Sequence, residues 1–429
     1  MTWTYEDAER YLLSLEPLGW RFGLDRIRRL VSILGMPQHR FASIHVVGTN
    51  GKSSVAEMTA ALLEAHGRSA GVYVSPHTDR WSERVRVGGA EIGGGEFGGA
   101  VERVAQSVEV VNRSLDEGES VTQFEAATAA AFVALAQAGV EFGVIEAGLG
   151  GRLDATNVLP SRATVLTSIG LEHTQWLGET EEEIAGEKLA VLRDHSTLVL
   201  GEVDTGVRGL AERTARERNA SFVVAGEHDP DLELAVPGAY ARRNFAVASA
   251  AAAAVLGPLD PDRVHAVATG LDLPGRMQLL DGNPPLVLDA AHNPPGAGAL
   301  AEALPEALGG VPVVACLALL ADKDAAGVVG QLAPRIDVVV CTELPAERLA
   351  HAGRPAARSL DAEQLASAAR EAGLAAEVVR EPVAAVRRAV EEARARSGAV
   401  LVSGSHYLLR YAVERSSQAR RPTGSSASD

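Results

Sequence analysis

The chain is poor in the features that would mark it for an oxidising compartment or a membrane. Only two cysteines, Cys316 and Cys341, occur among 429 residues. Both sit inside apolar runs, VPVVACLALL and DVVVCTEL, so they read as reduced core residues. No disulfide framework and no zinc-ligand spacing can be assembled from them. No apolar stretch approaches the ~20 residues that a membrane span requires. The opening MTWTYEDAERYLL is acidic and amphipathic, unlike a signal peptide. Positive charge is also short. A formal net charge of −16 argues against nonspecific binding to nucleic acid or acidic membranes. A cytoplasmic protein with no nucleic-acid or membrane partner is expected, and a local basic site for a small anion stays open.

What is present is a regular alternation of short β-rich runs and helical patterns. Strands are expected at 43–47, 70–74, 142–146, 163–168 and 197–200, with helices such as 54–66 and 125–138 between them. The strands are apolar without clean alternation, which fits a parallel sheet covered on both faces. An Ala-rich helix, RRNFAVASAAAAAVLG, follows residue 240. The Pro- and Gly-containing LPGRMQLLDGNPP then reads as a linker. A second β/α series follows: PLVLDA, VPVVACLALL, DVVVCTEL, AEVVRE and GAVLVSG. The expected fold is α/β, a P-loop parallel-sheet ATPase domain over 1–274, a linker at 275–285 and a smaller Rossmann-like doubly wound domain over 286–415. The polar residues 416–429 are expected to be disordered.

Residues 46–54 read VVGTNGKSS. An apolar strand, a Gly-rich turn and then Lys and Ser opening a helix make a phosphate cradle. Glycines let backbone N–H groups approach phosphate oxygens, the helix N-terminus adds partial positive charge, and Lys52 adds a full one. Position 46 is Val, so the strict G-x-x-x-x-G-K-[ST] pattern is not met; the loop is a shorter variant running Gly48, Thr49, Asn50, Gly51, Lys52, Ser53, Ser54. Three more stretches follow expected strands: VSPHTDRWSERVRV (74–87), VIEAGLGGRLDATN (144–157) and SIGLEHTQWLG (168–178). In an open parallel sheet such strand ends share one crevice. Ser75, Glu146 and His173 would converge there with the phosphate loop, as hydroxyl, carboxylate and imidazole able to hold a divalent ion.

Taken with TQFE (122–125), GEKLA and LDAAHNPPGA, these motifs stand in an order that resembles bacterial folylpolyglutamate synthase/dihydrofolate synthase, a branch of the Mur ligase superfamily. The resemblance runs from about Tyr5 to about Tyr411. It implies an ATP-dependent acid–amino-acid ligase. Such enzymes add L-glutamate to 7,8-dihydropteroate, or to the γ-carboxylate of a reduced folate, through an acyl phosphate. It implies Lys52, His173 and Lys188 as catalytic residues, and Ser75, Glu146, His173 and Lys188 as metal ligands for two Mg²⁺ ions, with room for a monovalent cation. Lys188, in IAGEKLAV, resembles the family's carbamylated lysine, a modification that turns a cation into an anion. Arg84, Thr122, Phe124 and Asp154 resemble the pterin site; a flat pterin wants an aromatic face and a carboxylate for its amino edge.

Nucleotide contacts are implied for the loop Gly48–Ser54 and for Asn244, Arg276, Asp289 and His292. D-K-D (322–324) is a candidate for glutamate or phosphate contacts. Closure of one domain on the other and a monomeric state are also implied. The family usually has Gly at position 53; here 53 and 54 are both Ser, and which one meets phosphate or metal is left open. Leu189 and Ala190, Glu172 and Pro295 also depart from the usual pattern. Two other readings compete. A different Mur-type ligase would keep the ATP machinery without the pterin pocket, and a non-catalytic ATP-binding module would need Lys52 and Ser54 but not Glu146, His173 and Lys188 together.

Overall fold

The computed structural model describes residues 2–15, 23–226, 232–351 and 357–419. The chain divides into two compact units, Met1–Ala235 with Ala241–Leu271, and Val236–Tyr240 with Asp272–Asp429.

The first unit is built on eight strands: β1 (Ala42–Val47), β2 (Ala70–Tyr73), β3 (Val85–Val87), β4 (Ala90–Glu91), β5 (Phe142–Glu146), β6 (Ala163–Leu166), β7 (Thr197–Leu200) and β8 (Ser221–Val224). Their order is β4-β3-β2-β5-β1-β6-β7-β8. From β2 to β8 all pairings are parallel, and only β3 and β4 run antiparallel at one edge. The strands β1, β2, β5 and β6 are buried along nearly their whole length, as both-face coverage demands. The chain leaves β1 for β2 on one side and returns to β6 on the other. The carboxyl end of β1 is therefore a topological switch point, where open α/β sheets bind ligands.

Helix Gln123–Ala138 shows why the helices lie where they do. Almost every residue from Ala126 to Leu135 is buried, so an Ala-rich helix fits between the sheet and helix Gly94–Asn112. Thr122 and Glu125 close its start reciprocally: Thr122 Oγ1 accepts from Glu125 N at 3.2 Å, and Glu125 Oε2 accepts from Thr122 N at 2.8 Å. Glu125 also pairs with the buried Arg26 at 3.1 Å. Gly139 ends the helix at φ 68°, a left-handed conformation that suits glycine.

The second unit carries β9 (Gln278–Leu280), β10 (Leu286–Leu288), β11 (Val313–Leu317), β12 (Val338–Cys341), β13 (Ala375–Val378) and β14 (Ala399–Ser403), ordered β13-β12-β11-β14-β10-β9. All are parallel except β9, which pairs antiparallel with β10. The stretch expected to be linker thus contains an edge strand. Cys316 and Cys341 are free and buried on neighbouring strands. Helix His406–Ala419 runs into the stretch expected as a tail; residues 420–429 lie outside the described residues. No described helix is long and apolar enough to cross a membrane.

Candidate active site

The turn after β1 is built by two glycines in left-handed conformations, Gly48 (φ 151°) and Gly51 (φ 80°). Each is also required by its neighbours. A Cβ on Gly48 would lie 2.0 Å from Thr167 Oγ1, and one on Gly51 would lie 2.6 Å from Asn244 Oδ1. Asn244 is thereby set against the phosphate loop. Helix Lys52–Ala65 starts at once, two residues before the expected 54. The loop is held from the side by residues that sequence reasoning passed over. Ser168 O accepts from Thr49 N at 2.8 Å, Thr167 Oγ1 donates to Asn50 O at 2.7 Å, and Gly170 N donates to Thr49 Oγ1 at 3.1 Å. Strand β6 ends at Leu166, not 168, and its last expected residues serve as this brace. Lys52 Nζ donates back to Thr49 O at 3.0 Å, which folds the cation over the cradle.

Glu146, at the end of β5, is 2 % exposed. One oxygen accepts from Ser53 Oγ at 2.9 Å and from Ser75 N at 3.0 Å. Three strand ends are thereby tied at one carboxylate. Ser53, not the buried Ser54, brings its hydroxyl to it. His173 is left-handed at φ 52° and caps the short helix Thr174–Leu177; Glu172 Oε1 lies 3.8 Å from its Nε2. Among the described residues, no three His, Cys, Asp or Glu side chains stand together as a ready-made metal cage. Glu146 with a serine hydroxyl still suits Mg²⁺, which keeps several waters and takes one or two protein ligands plus phosphate oxygens.

Lys188 is buried and donates to Gly48 O at 2.7 Å, directly under the phosphate loop. Burial, reinforced by Lys52, lowers its amine to about 7.

The loop from Ala147 to Asn157 forms the other wall. Gly148 lies against the Phe124 ring, where a Cβ would come within 2.4 Å of Cζ. Gly151 lies against the backbone of Glu187 and Lys188, with both carbonyl oxygens 2.8 Å from a Cβ position. Asp154 staples this loop: Oδ2 accepts from Leu149 N at 2.9 Å, and Oδ1 from Thr156 N at 2.9 Å and Thr156 Oγ1 at 2.5 Å. Burial raises the Asp154 carboxyl, against these hydrogen bonds. Phe124 is half-buried. Thr122 is already engaged as the helix cap. Arg84 is buried, donates to His77 Nδ1 at 2.9 Å and lies over the Trp81 ring at 4.2 Å.

In the second unit, Asp289 follows β10 and accepts from Met277 N and Ala291 N, each at 2.8 Å. Burial raises its carboxyl, with Arg276 opposing. Arg276 faces His406 at 3.4 Å, and the rings of His406 and His292 are 6.3 Å apart. The four side chains form one group, and His406, in GSHYLL, is the member that the sequence did not single out. Asp324, from D-K-D, caps helix Ala325–Leu332 by accepting from Gly327 N at 2.9 Å.

Two family models match the chain: the Mur ligase middle domain over residues 46–244, and the Mur ligase glutamate ligase domain over 275–406. A dihydrofolate synthase/folylpolyglutamate synthase from Mycobacterium tuberculosis is 33% identical over 387 residues, 81% of this chain and 77% of the relative. The structure of Escherichia coli FolC in complex with DHPP and ADP superposes with a TM-score of 0.84 at 28% identity, covering 97% of this chain and 98% of that one. The bifunctional folylpolyglutamate synthase/dihydrofolate synthase from Yersinia pestis complexed with AMPPNP and Mn ion gives 0.80 at 30% identity, covering 96% and 98%. With the phosphate loop, the Glu146 knot and two parallel-sheet units in place, the chain belongs to the dihydrofolate synthase/folylpolyglutamate synthase family of Mur-type, ATP-dependent ligases.

Proposed function

We propose that the chain joins L-glutamate to 7,8-dihydropteroate and to the γ-carboxylate of reduced folates, giving ADP and phosphate. A substrate carboxylate oxygen attacks the γ-phosphorus of ATP and ADP leaves. The glutamate amine then attacks the acyl carbon, phosphate leaves, and the nitrogen gives up a proton. The observation that supports this best is a single loop with two neighbours. Gly151 rests on Lys188 beneath the phosphate cradle, and Gly148 rests on the Phe124 ring, so one rigid segment links a phosphate site to an aromatic wall. Asp154 and Phe124 favour the pterin substrate.

The first step brings like charges together. A carboxylate meeting a phosphate oxygen at 4 Å is opposed by about 4 kcal/mol per charge pair at an effective dielectric of 20. Lys52 and the loop N–H groups counter this. Mg²⁺, when bound, supplies further charge neutralisation, with Glu146, Ser75, Ser53 and His173 as the residues that would hold it. Lys188 is the modification site: a buried amine with its pKa lowered to about 7 has a substantial neutral, nucleophilic fraction able to take up CO₂ as a carbamate. The loop glycines and Asn244, with Arg276, Asp289, His292 and His406, serve the nucleotide, and Arg84 serves the folate side. The protein acts as a monomer.

The test is ATP-dependent phosphate release with L-glutamate and either 7,8-dihydropteroate or tetrahydrofolate. Turnover with both establishes two activities. Turnover with tetrahydrofolate alone removes Asp154 and Phe124 as determinants for dihydropteroate. Silence with both, in a chain that still binds ATP, overturns the folate assignment.

A further inference from the structure

His45 lies in the middle of β1, wholly buried behind the Asp154 loop. Its Nε2 is 2.8 Å from Thr156 Oγ1, which is itself 2.5 Å from Asp154 Oδ1. His45 Nδ1 is buried with no hydrogen-bond partner among the described residues. Three side chains thus make one unbranched polar chain from the central strand to the loop that faces Phe124.

Counting protons fixes its direction. An ionised Asp154 only accepts, and Thr156 has one hydroxyl proton, which goes to it. Thr156 Oγ1 can then only accept from His45, so His45 carries its hydrogen on Nε2 and leaves Nδ1 a bare lone pair. If Asp154 took a proton, the chain would reverse. Asp154 would donate to Thr156, Thr156 to Nε2, and the imidazole hydrogen would move to Nδ1. That would leave a buried N–H with nothing to bond, the rarer and costlier orphan. The titratable and charged groups acting on the pair are Arg193 on His45, and Tyr73 and Lys188 on Asp154.

We propose that His45 is a positioning residue which, through Thr156, holds the Asp154 carboxylate as a pure acceptor and so fixes the Gly148–Asp154 loop against Phe124 for the flat head of the folate substrate. This rests on the folate-ligase reading above, and its test separates the two.

The full chain labelled with ¹⁵N-histidine reads the tautomer directly, the His45 signals being identified by their loss in His45→Gln. A neutral Nε2–H ring is expected at pH 7; an Nδ1–H ring or an imidazolium overturns the relay. Initial rates then test its purpose. His45→Phe removes the donor and is expected to raise KM for dihydropteroate roughly tenfold, the scale of one hydrogen bond, with KM for ATP unchanged. His45→Gln keeps a donor and should restore most of the loss, which lost packing alone would not predict. Should His45→Phe fail to fold, Thr156→Val breaks the same chain one link nearer the loop, with the same expected split. A KM for dihydropteroate that stays put in an active enzyme brings down this inference alone. Absence of turnover in the unaltered chain brings down the proposed function, and the substrate half of this inference with it.

Discussion

At Lys188 and His45, burial is turned to opposite uses. Lys188 stands between the phosphate loop and Gly151 with its amine lowered to about 7, so it is ammonium below that pH and neutral above it. If the neutral amine is what takes up CO₂, turnover has an acid limb near pH 7, and adding bicarbonate raises activity above the limb more than below it. ¹³C-bicarbonate NMR checks this: a carbamate signal present in the protein and absent in Lys188→Gln is expected, and a signal unaffected by the substitution rules it out. His45 must stay neutral. Its pKa falls to about 3 from an unfolded value of 6.5. Between those values the unfolded chain binds a proton that the folded chain refuses, so stability is whole above about 6.5 and drains as pH falls toward 3. The full loss is on the order of 5 kcal/mol. His45→Gln is expected to flatten this part of the acid dependence. Urea midpoints at pH 7 and pH 4.5 decide it: parallel losses in both proteins would contradict the account. The role of His45 is not visible in the string SIHVVG, because His45 takes its partner from residue 156.

A segment's local role and its apparent motif role can diverge at the scale of the helix. TQFE draws Thr122 toward the substrate pocket by resemblance, yet the same four residues are a capping box, with Thr122 and Glu125 satisfying each other's backbone N–H. Thr122→Ala is therefore expected to cost about 1 kcal/mol of stability and leave KM for dihydropteroate within about twofold. Phe124→Ala should do the reverse, raising that KM with a small loss in melting temperature. A thermal melt run beside initial rates separates the two, and a large KM change in Thr122→Ala would return it to the pocket. The S/T-x-x-E spacing is a capping-box signature, but the resemblance claims TQFE as a family motif, and the helix expected from 125 starts two residues late. The central strands were legible, because buried parallel strands are continuous apolar runs with turn residues at both ends. Less was written at their ends. In ATVLTS nothing marks Leu166 as the last paired residue, and only the fold shows Thr167 and Ser168 bonded to the phosphate loop. The short edge strand β9 hides similarly among the Pro and Gly residues around it.

Each half of the molecule has its own sheet and its own core, one around Phe132, Leu135 and Ile145, the other around Val314, Val340 and Val400. The sequence happens to label the halves separately. All four tryptophans, Trp3, Trp20, Trp81 and Trp176, precede Leu271, and both cysteines, Cys316 and Cys341, follow it. Tryptophan emission therefore reports the first unit, and reaction of the buried thiols with a disulfide reagent reports the second. Two units, each with its own sheet, need not unfold in one step. In a urea series the two signals are expected to give different midpoints. The phosphate loop, Glu146 and Lys188 all belong to the first unit, so ATP with Mg²⁺ should raise the tryptophan midpoint, by as much as about 2.7 kcal/mol at a hundredfold excess over Kd. Arg276, Asp289 and His292 belong to the second unit, and if they too contact nucleotide the thiol midpoint rises with it. A thiol midpoint indifferent to ATP would confine nucleotide binding to the first unit and remove those three residues from the site. A rise in both that vanishes in Arg276→Ala for the thiols alone would place the second unit's share of the binding energy on that side chain.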